Sequence, residues 1–255
     1  LLGSRSEFEE NFPDDVSAAR RLGQIISPVT IRRLVADVAD DLPEKREFAV
    51  PLQLIDEDKE RYEAIGPPVR ANHAKLRVLC SHGQKAEELQ PPRFDERTKV
   101  EHLFSILEEI FKNGQKALVF AEYVQTIQRL VSEIGHEWPD AFVASIYGAT
   151  SDEDRPRILG NFESHQGPGC LVMNPTVAGV GLNIQSANHV IHFSPHYNPA
   201  VTRQATARAW RRGQKNRVFV RHLYYEGTVE EEALIISDIK QGLADGVDDG
   251  SEDMT

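Results

Sequence analysis

Cys170–Glu232 reads CLVMNPTVAGVGLNIQSANHVIHFSPHYNPAVTRQATARAWRRGQKNRVFVRHLYYEGTVEEE, and this stretch decides the fold. A short apolar run, Cys170–Met173, leads into a turn bearing Gly179 and Gly181. A second run, His189–Phe193, leads through Asn198-Pro199 into a segment rich in helix formers. Pro199 suits a first helical turn, Ala200–Arg212 has good helix propensity, and Gly213 supplies a stop. On such a helix Gln204, Arg208, Arg211 and Arg212 fall at spacings of three and four and share one side. Guanidinium groups on one rigid face, with a glutamine in line, suit bidentate contact with phosphate oxygens. Spacing alone is equally consistent with a solvated basic face.

Working outward, apolar runs of strand length alternate with helical periods. Lys116–Ala121, Phe142–Ile146, Cys170–Met173, His189–Phe193 and Arg217–Leu223 are expected strands. Lys99–Phe111 carries Val100, Leu103, Leu107 and Ile110 on one stripe, and Tyr123–Ile134 and Asp152–Phe162 are further helices. Thr228 can cap a last helix reaching about Leu243. Strands alternating with helices predict an α/β fold, a mostly parallel sheet covered by helices on both faces. Ligands on such sheets gather at the carboxyl ends of the strands, which here are Glu122-Tyr123, Gly148–Thr150, Asn174–Asn183 and Ser194–Asn198. Upstream, Val16–Val38 has a helical pattern broken near Pro28, Phe48–Leu54 reads as a strand, and Asp56 or Glu57 opens a helix through Ile65.

Gln204-Ala205, Arg208, Arg211, Gly213 and Gln214 resemble motif VI of the Snf2 family of superfamily 2 helicase-like ATPases. Gly179–Ile184 is similar to motif V, Asn198-Pro199 to the WNP before motif VI, and Gly227–Glu231 to the segment after it. Pro28, Arg32, Arg33, Val38, Leu42, Pro43, Lys45 and Tyr62 resemble the family's insertion between its two ATPase lobes. The resemblance covers nearly the whole chain and implies a RecA-like C-terminal lobe with a mainly helical N-terminal appendage. It divides the chain into an insertion segment (1–65), a linker (66–98), the lobe (99–245) and an acidic tail (246–255), the linker being read as a partly mobile link with short helices around Ala74–Cys80 and Lys85–Leu89.

By the same resemblance Arg208 and Arg211 are arginine fingers toward the γ-phosphate of ATP. Gln204, Gly179, Gly181 and Asn183 belong to the nucleotide side, and Arg32 and Arg33 to inter-lobe coupling. Thr150, Thr176, Tyr197 and Asn198 are the candidate contacts to a DNA backbone. Thr150 is also placed to cap the helix after it, and a tight strand-to-helix turn alone would explain Gly179 and Gly181. The motif V segment departs from the family's usual threonine at Pro175, with Thr176 one residue away, and Ser194 stands where an acidic residue is common. The 255 residues contain no GxxxxGK[ST], so ATP and Mg2+ are expected to be bound mainly by a first RecA-like lobe upstream of residue 1. The chain starts without methionine and is expected to be a piece of something longer that is inactive by itself.

The formal net charge of −11 excludes a diffuse positive field for nucleic acid, leaving a local patch on an acidic body. Cys80 and Cys170 lie far apart, which fits a reducing intracellular setting, nuclear in a eukaryote or cytoplasmic in a prokaryote. His73, Cys80 and His82 lack a fourth ligand at suitable spacing, so no metal is expected. No apolar run approaches membrane-spanning length, so no membrane partner is expected. Three functions follow: one lobe of an ATP-dependent DNA translocase acting on nucleoprotein, an ATPase arm of a repair or restriction system, or a catalytically silent scaffold. Retention of Gln204, Arg208 and Arg211 weighs against the scaffold.

Overall fold

The computed structural model describes residues 21–22, 42–82, 98–177 and 183–237. Arg32, Arg33, Gly179, Gly181, the helix expected around Lys85–Leu89, the tail 246–255 and all of the helices expected within Val16–Val38 except the helical Arg21 and Leu22 lie outside these residues. The chain forms two compact units, one of Asp41–His196 with Ala200–Leu234, the other of Leu1–Asp40, Tyr197–Pro199 and Ile235–Thr255. In the second unit Ile235 and Ile236 are exposed, Asn198 is exposed and Tyr197 is half-buried.

The larger unit is a six-stranded sheet of β1 (Lys45–Leu52), β2 (Lys116–Phe120), β3 (Phe142–Ile146), β4 (Gly169–Met173), β5 (His189–His192) and β6 (Val218–Tyr225). Its spatial order is β1-β6-β5-β2-β4-β3, and every neighbouring pair is parallel. The helices are α1 (Asp56–Ile65), α2 (Arg70–His82), α3 (Thr98–Lys112), α4 (Val124–Glu137), α5 (Asp154–Ser164) and α6 (Pro199–Thr206), with helical residues again at 229–237.

Strand alternation splits the core in two. Ala117, Val119, Val172, Ile191 and Leu223 face the α3 stripe of Val100, Leu103, Leu107 and Ile110, together with Ile127, Leu130 and Ile134 of α4. Leu118, Phe120, Leu171, Met173, Val190 and Val220 face the other way, against Phe162 of α5 and Ile184, Ala205 and Ala209 beside α6. Each fully buried aliphatic side chain contributes roughly 1.5–3 kcal/mol of transfer free energy, so both layers are needed to hold the sheet.

Two expectations change. The upstream strand is present as β1, but it runs in register along β6 from Lys45↔Val218 to Leu52↔Tyr225, so residues 45–52 belong to the lobe's own sheet. The following helix is tied down as well: Tyr62 Oη accepts the Val229 amide at 2.8 Å, at the start of the last helix. The helix expected around Ala74–Cys80 in a partly mobile link is present but longer, as α2, and its Leu76, Leu79 and Cys80 are buried. Their spacing of three and four makes an apolar stripe, which is sufficient to dock a helix although Lys75, Arg77 and Arg70 surround it. No helix among the described residues is long and apolar enough to cross a membrane.

Candidate functional site

The arginines sit in a turn, and the long helix expected over Ala200–Arg212 is cut short. α6 ends at Thr206, and Ala207–Gly213 follow as successive turns. At the break the hydrogen bonds tighten from i→i−4 to i→i−3, with Arg208 N donating to Ala205 O at 3.2 Å and Ala209 N to Thr206 O at 3.1 Å. Arg208 O accepts the Ile184 amide at 3.0 Å, and Arg211 O accepts the Gln214 amide at 3.1 Å. Arg212 O accepts Gln185 Nε2 at 2.7 Å, and Ala209 O is approached by Gln214 Nε2 at 3.4 Å. Arg208 O is the acceptor that the Arg212 amide would use, so the Ile184 bond competes with a further helical turn, and the other contacts hold the turn that follows. Gly213 has φ +88°, the left-handed conformation in which the chain turns away.

Gln214 is the centre of this turn. It is 5% exposed, its amide donates to Gln185 O at 3.0 Å and Ala187 O at 2.9 Å, and its Oε1 accepts the Asn216 amide at 3.0 Å. Its motif position was legible in the sequence, but its role as a clamp was not. Trp210 anchors the turn from the other side, with Nε1 donating to Pro43 O at 2.9 Å and Lys45 Nζ lying 4.8 Å over its ring.

Arg208 and Arg211 are both half-buried and lie close enough to repel each other. Burial, and then the Arg211 charge, push the Arg208 guanidinium pKa down. Arg208 Nε donates to Gln204 O at 3.2 Å, one turn back, whereas Gln204 itself is exposed. Arg211 Nε is buried and has no hydrogen-bond partner. Two like charges half withdrawn from water, one with an orphaned N–H, form a site that an anionic group would relieve on both counts.

The carboxyl ends of the central strands are stitched together. Ala121 N donates to Met173 O at 3.0 Å, Phe193 N to Phe120 O at 2.9 Å, and Asn174 N to Ile146 O at 3.3 Å. Asn174 organises the next turn, with Nδ2 donating to Glu122 O at 2.6 Å and Oδ1 accepting the Thr176 amide at 2.9 Å. Thr176 is exposed and donates its hydroxyl to the same Oδ1, while Asn183 is exposed beyond it. Thr150 does not cap α5. Its Oγ1 accepts the Tyr147 amide at 3.0 Å, closing the turn after β3, and Ser151 Oγ accepts the Asp154 amide at 3.1 Å instead.

Sequence reasoning missed what α2 does here. Arg77 pairs with Glu122 and donates to Pro195 O at 3.3 Å, and Ser81 Oγ lies 3.2 Å from Ser194 Oγ. The helix therefore supplies polar partners to the ends of both β2 and β5. Among the described residues no group of three or more His, Cys, Asp or Glu side chains could hold a metal ion.

Residues 98–213 match the helicase conserved C-terminal domain. The chain is 29% identical over 278 residues to the putative ATP-dependent helicase/translocase YwqA of Bacillus subtilis, covering 96% of this chain and 29% of that protein. It is 30% identical over 254 residues to the Zorya protein ZorD of Escherichia coli, covering 86% of this chain and 23% of that protein. The chain thus spans less than a third of the length of either relative. Among solved structures, the Sulfolobus solfataricus SWI2/SNF2 ATPase core in complex with dsDNA matches at 27% identity and TM-score 0.61, over 98% of this chain and 58% of that one. Fold, motif order and relatives agree: the chain is the C-terminal, second RecA-like lobe of a Snf2-type superfamily 2 helicase-like ATPase.

Proposed function

We propose that this lobe works in an ATP-dependent DNA translocase that acts on nucleoprotein inside the cell, and that Arg208 and Arg211 are its arginine fingers. The observation that carries the proposal is the turn 207–213, which holds two mutually repelling, half-buried guanidinium groups, one with an unpartnered buried Nε. ATP with Mg2+ supplies the phosphoryl group and its countercharge, held mainly by the first lobe of the full-length protein. Arg208 and Arg211 then stabilise charge that develops on the transferring group only when the two lobes close. Gln204 sits on the helix face leading to the fingers, and Gly179, Gly181 and Asn183 line the nucleotide side. Thr150, Thr176, Tyr197 and Asn198 contact the phosphate backbone of duplex DNA, and Arg32 and Arg33 couple the lobes. The match to a DNA-bound core over 98% of this chain supports the DNA partner. The exposed Thr176 hydroxyl supports a backbone contact on this side of the sheet.

The test is DNA-stimulated ATP turnover by the full-length protein. Arg208→Ala and Arg211→Ala should each lower kcat steeply, toward the ~10³–10⁵-fold worth of such a finger, while ATP affinity changes much less. Turnover equal to the parent in both variants would remove the finger assignment. DNA affinity should fall linearly with salt on logarithmic axes, and a flat response would remove the backbone contacts.

A further inference from the structure

At the sheet face beneath α6, three rings stand in a row across three strands. Phe120 of β2 stacks on His192 of β5 at 5.4 Å and 21°, and His192 stacks on His222 of β6 at 4.7 Å and 5°. The strand register enforces the row, because Phe120 is opposite His192 and His192 is opposite His222. His222 Nε2 meets Glu47 Oε1 of β1 at 3.1 Å, which closes the row at the sheet edge. His192 is 3% exposed, and its Nε2 lies 3.0 Å from the hydroxyl of Thr206, the last residue of α6.

Thr206 is where the helix gives way to the arginine turn. Its carbonyl accepts the amides of both Ala209 and Trp210, at 3.1 and 3.0 Å. One residue thus holds the turn with its backbone while its side chain is tied to the sheet. The tie has little freedom, since the imidazole is clamped between two flat neighbours. Burial first, and then the His222 charge, push the His192 pKa well below its ordinary value, so the ring is neutral and one nitrogen is free to accept.

We propose that the His192–Thr206 hydrogen bond is a positioning contact that sets where α6 ends, and through that end sets the stance of Arg208 and Arg211. This inference rests on the finger reading above. It assigns a role to two buried side chains, and it makes Thr206 the joint between the sheet and the fingers. A displacement of an ångström at a reacting centre costs up to about 10²-fold in rate, so a small rotation at Thr206 is enough to register.

The test uses full-length protein carrying Thr206→Val, which keeps the shape and deletes the hydroxyl, Thr206→Ser, which keeps the hydroxyl, and His192→Leu. Two quantities are read: DNA-stimulated ATP turnover, and amide hydrogen exchange of the 204–214 peptide without nucleotide. Thr206→Val and His192→Leu should lower kcat by about tenfold to 10²-fold with the KM for ATP unchanged, and should speed exchange in that peptide. Thr206→Ser should restore both. If Arg208→Ala lowers turnover but Thr206→Val changes neither quantity, the positioning role is wrong and the fingers stand. If Arg208→Ala and Arg211→Ala leave turnover intact, the finger reading itself is wrong. A Thr206→Ser variant as impaired as Thr206→Val would also overturn the hydrogen bond as the cause.

Discussion

Lys99 and Glu230 form an ion pair that is 1% and 5% exposed at the side chain, joining the start of α3 to the last helix. Lys99 Nζ also lies 3.4 Å from Cys80 O and 4.4 Å over the Tyr225 ring, and the Glu230 carboxylate accepts the Tyr225 amide at 3.1 Å. Replacing Lys99 with Met preserves the bulk but leaves a buried carboxylate without its ammonium partner. Breaking one side of such a pair costs about 3–5 kcal/mol, most of it the uncompensated charge. Glu230→Gln keeps an acceptor for the Tyr225 amide while removing the charge. The double variant Lys99→Met/Glu230→Gln should therefore be more stable than Lys99→Met alone, with a coupling of about 0.5–3 kcal/mol. Urea unfolding of the parent chain, both single variants and the double variant, followed by far-ultraviolet circular dichroism, measures all four corners of the cycle. A Lys99→Met cost below about 1 kcal/mol, or single effects that add within about 0.5 kcal/mol, would refute a buried, coupled pair.

His189 is 6% exposed, bonded to Gln115 Oε1 at 2.8 Å, and burial followed by the Arg221 charge pushes its pKa down to about 4. Because the unfolded chain binds that proton more readily, the stability this ring contributes is complete above about pH 6.5 and is lost as pH falls toward about 4. The gap between the ordinary 6.5 and about 4 corresponds to about 3 kcal/mol. His189→Gln should flatten the dependence of urea midpoint on pH across that window, and an unchanged slope would reject it. Gln214→Leu strips one buried and one part-buried carbonyl of their donor and should cost about 1–3 kcal/mol, with faster amide exchange at 207–213. A loss below about 0.5 kcal/mol would mean that the clamp on the arginine turn is not needed for stability.

What the sequence made legible was local. The stripe Val100, Leu103, Leu107 and Ile110 and the alternation through Leu118 and Phe120 repeat at the periods of helix and strand, and both layers form as their patterns indicate. Thr228 caps as expected, its Oγ1 accepting the Glu230 amide at 3.2 Å. What escaped was decided at a distance. β1 pairs with β6 across more than 160 residues of chain, and nothing within KREFAVPL names that partner. After Thr206 the amides of Arg208 and Ala209 donate i→i−3 and Ile184 takes the Arg208 carbonyl, so helix propensity over Ala200–Arg212 was overridden by tertiary context. The arginines were legible as a motif, but their mutual repulsion and the orphaned Arg211 Nε required coordinates. The ring row at His192 was invisible because its members come from three strands.

β1 also has a mechanical meaning. Its eight residues lie side by side with those of β6, and the chain enters the lobe at the strand's amino end. Tension along that strand loads the whole ladder in shear, so its bonds share the force and none is peeled off first. A pull across the strand would unzip it one rung at a time. The outermost strand therefore acts as a stiff tow-line in one direction and as a breakaway seam in the other.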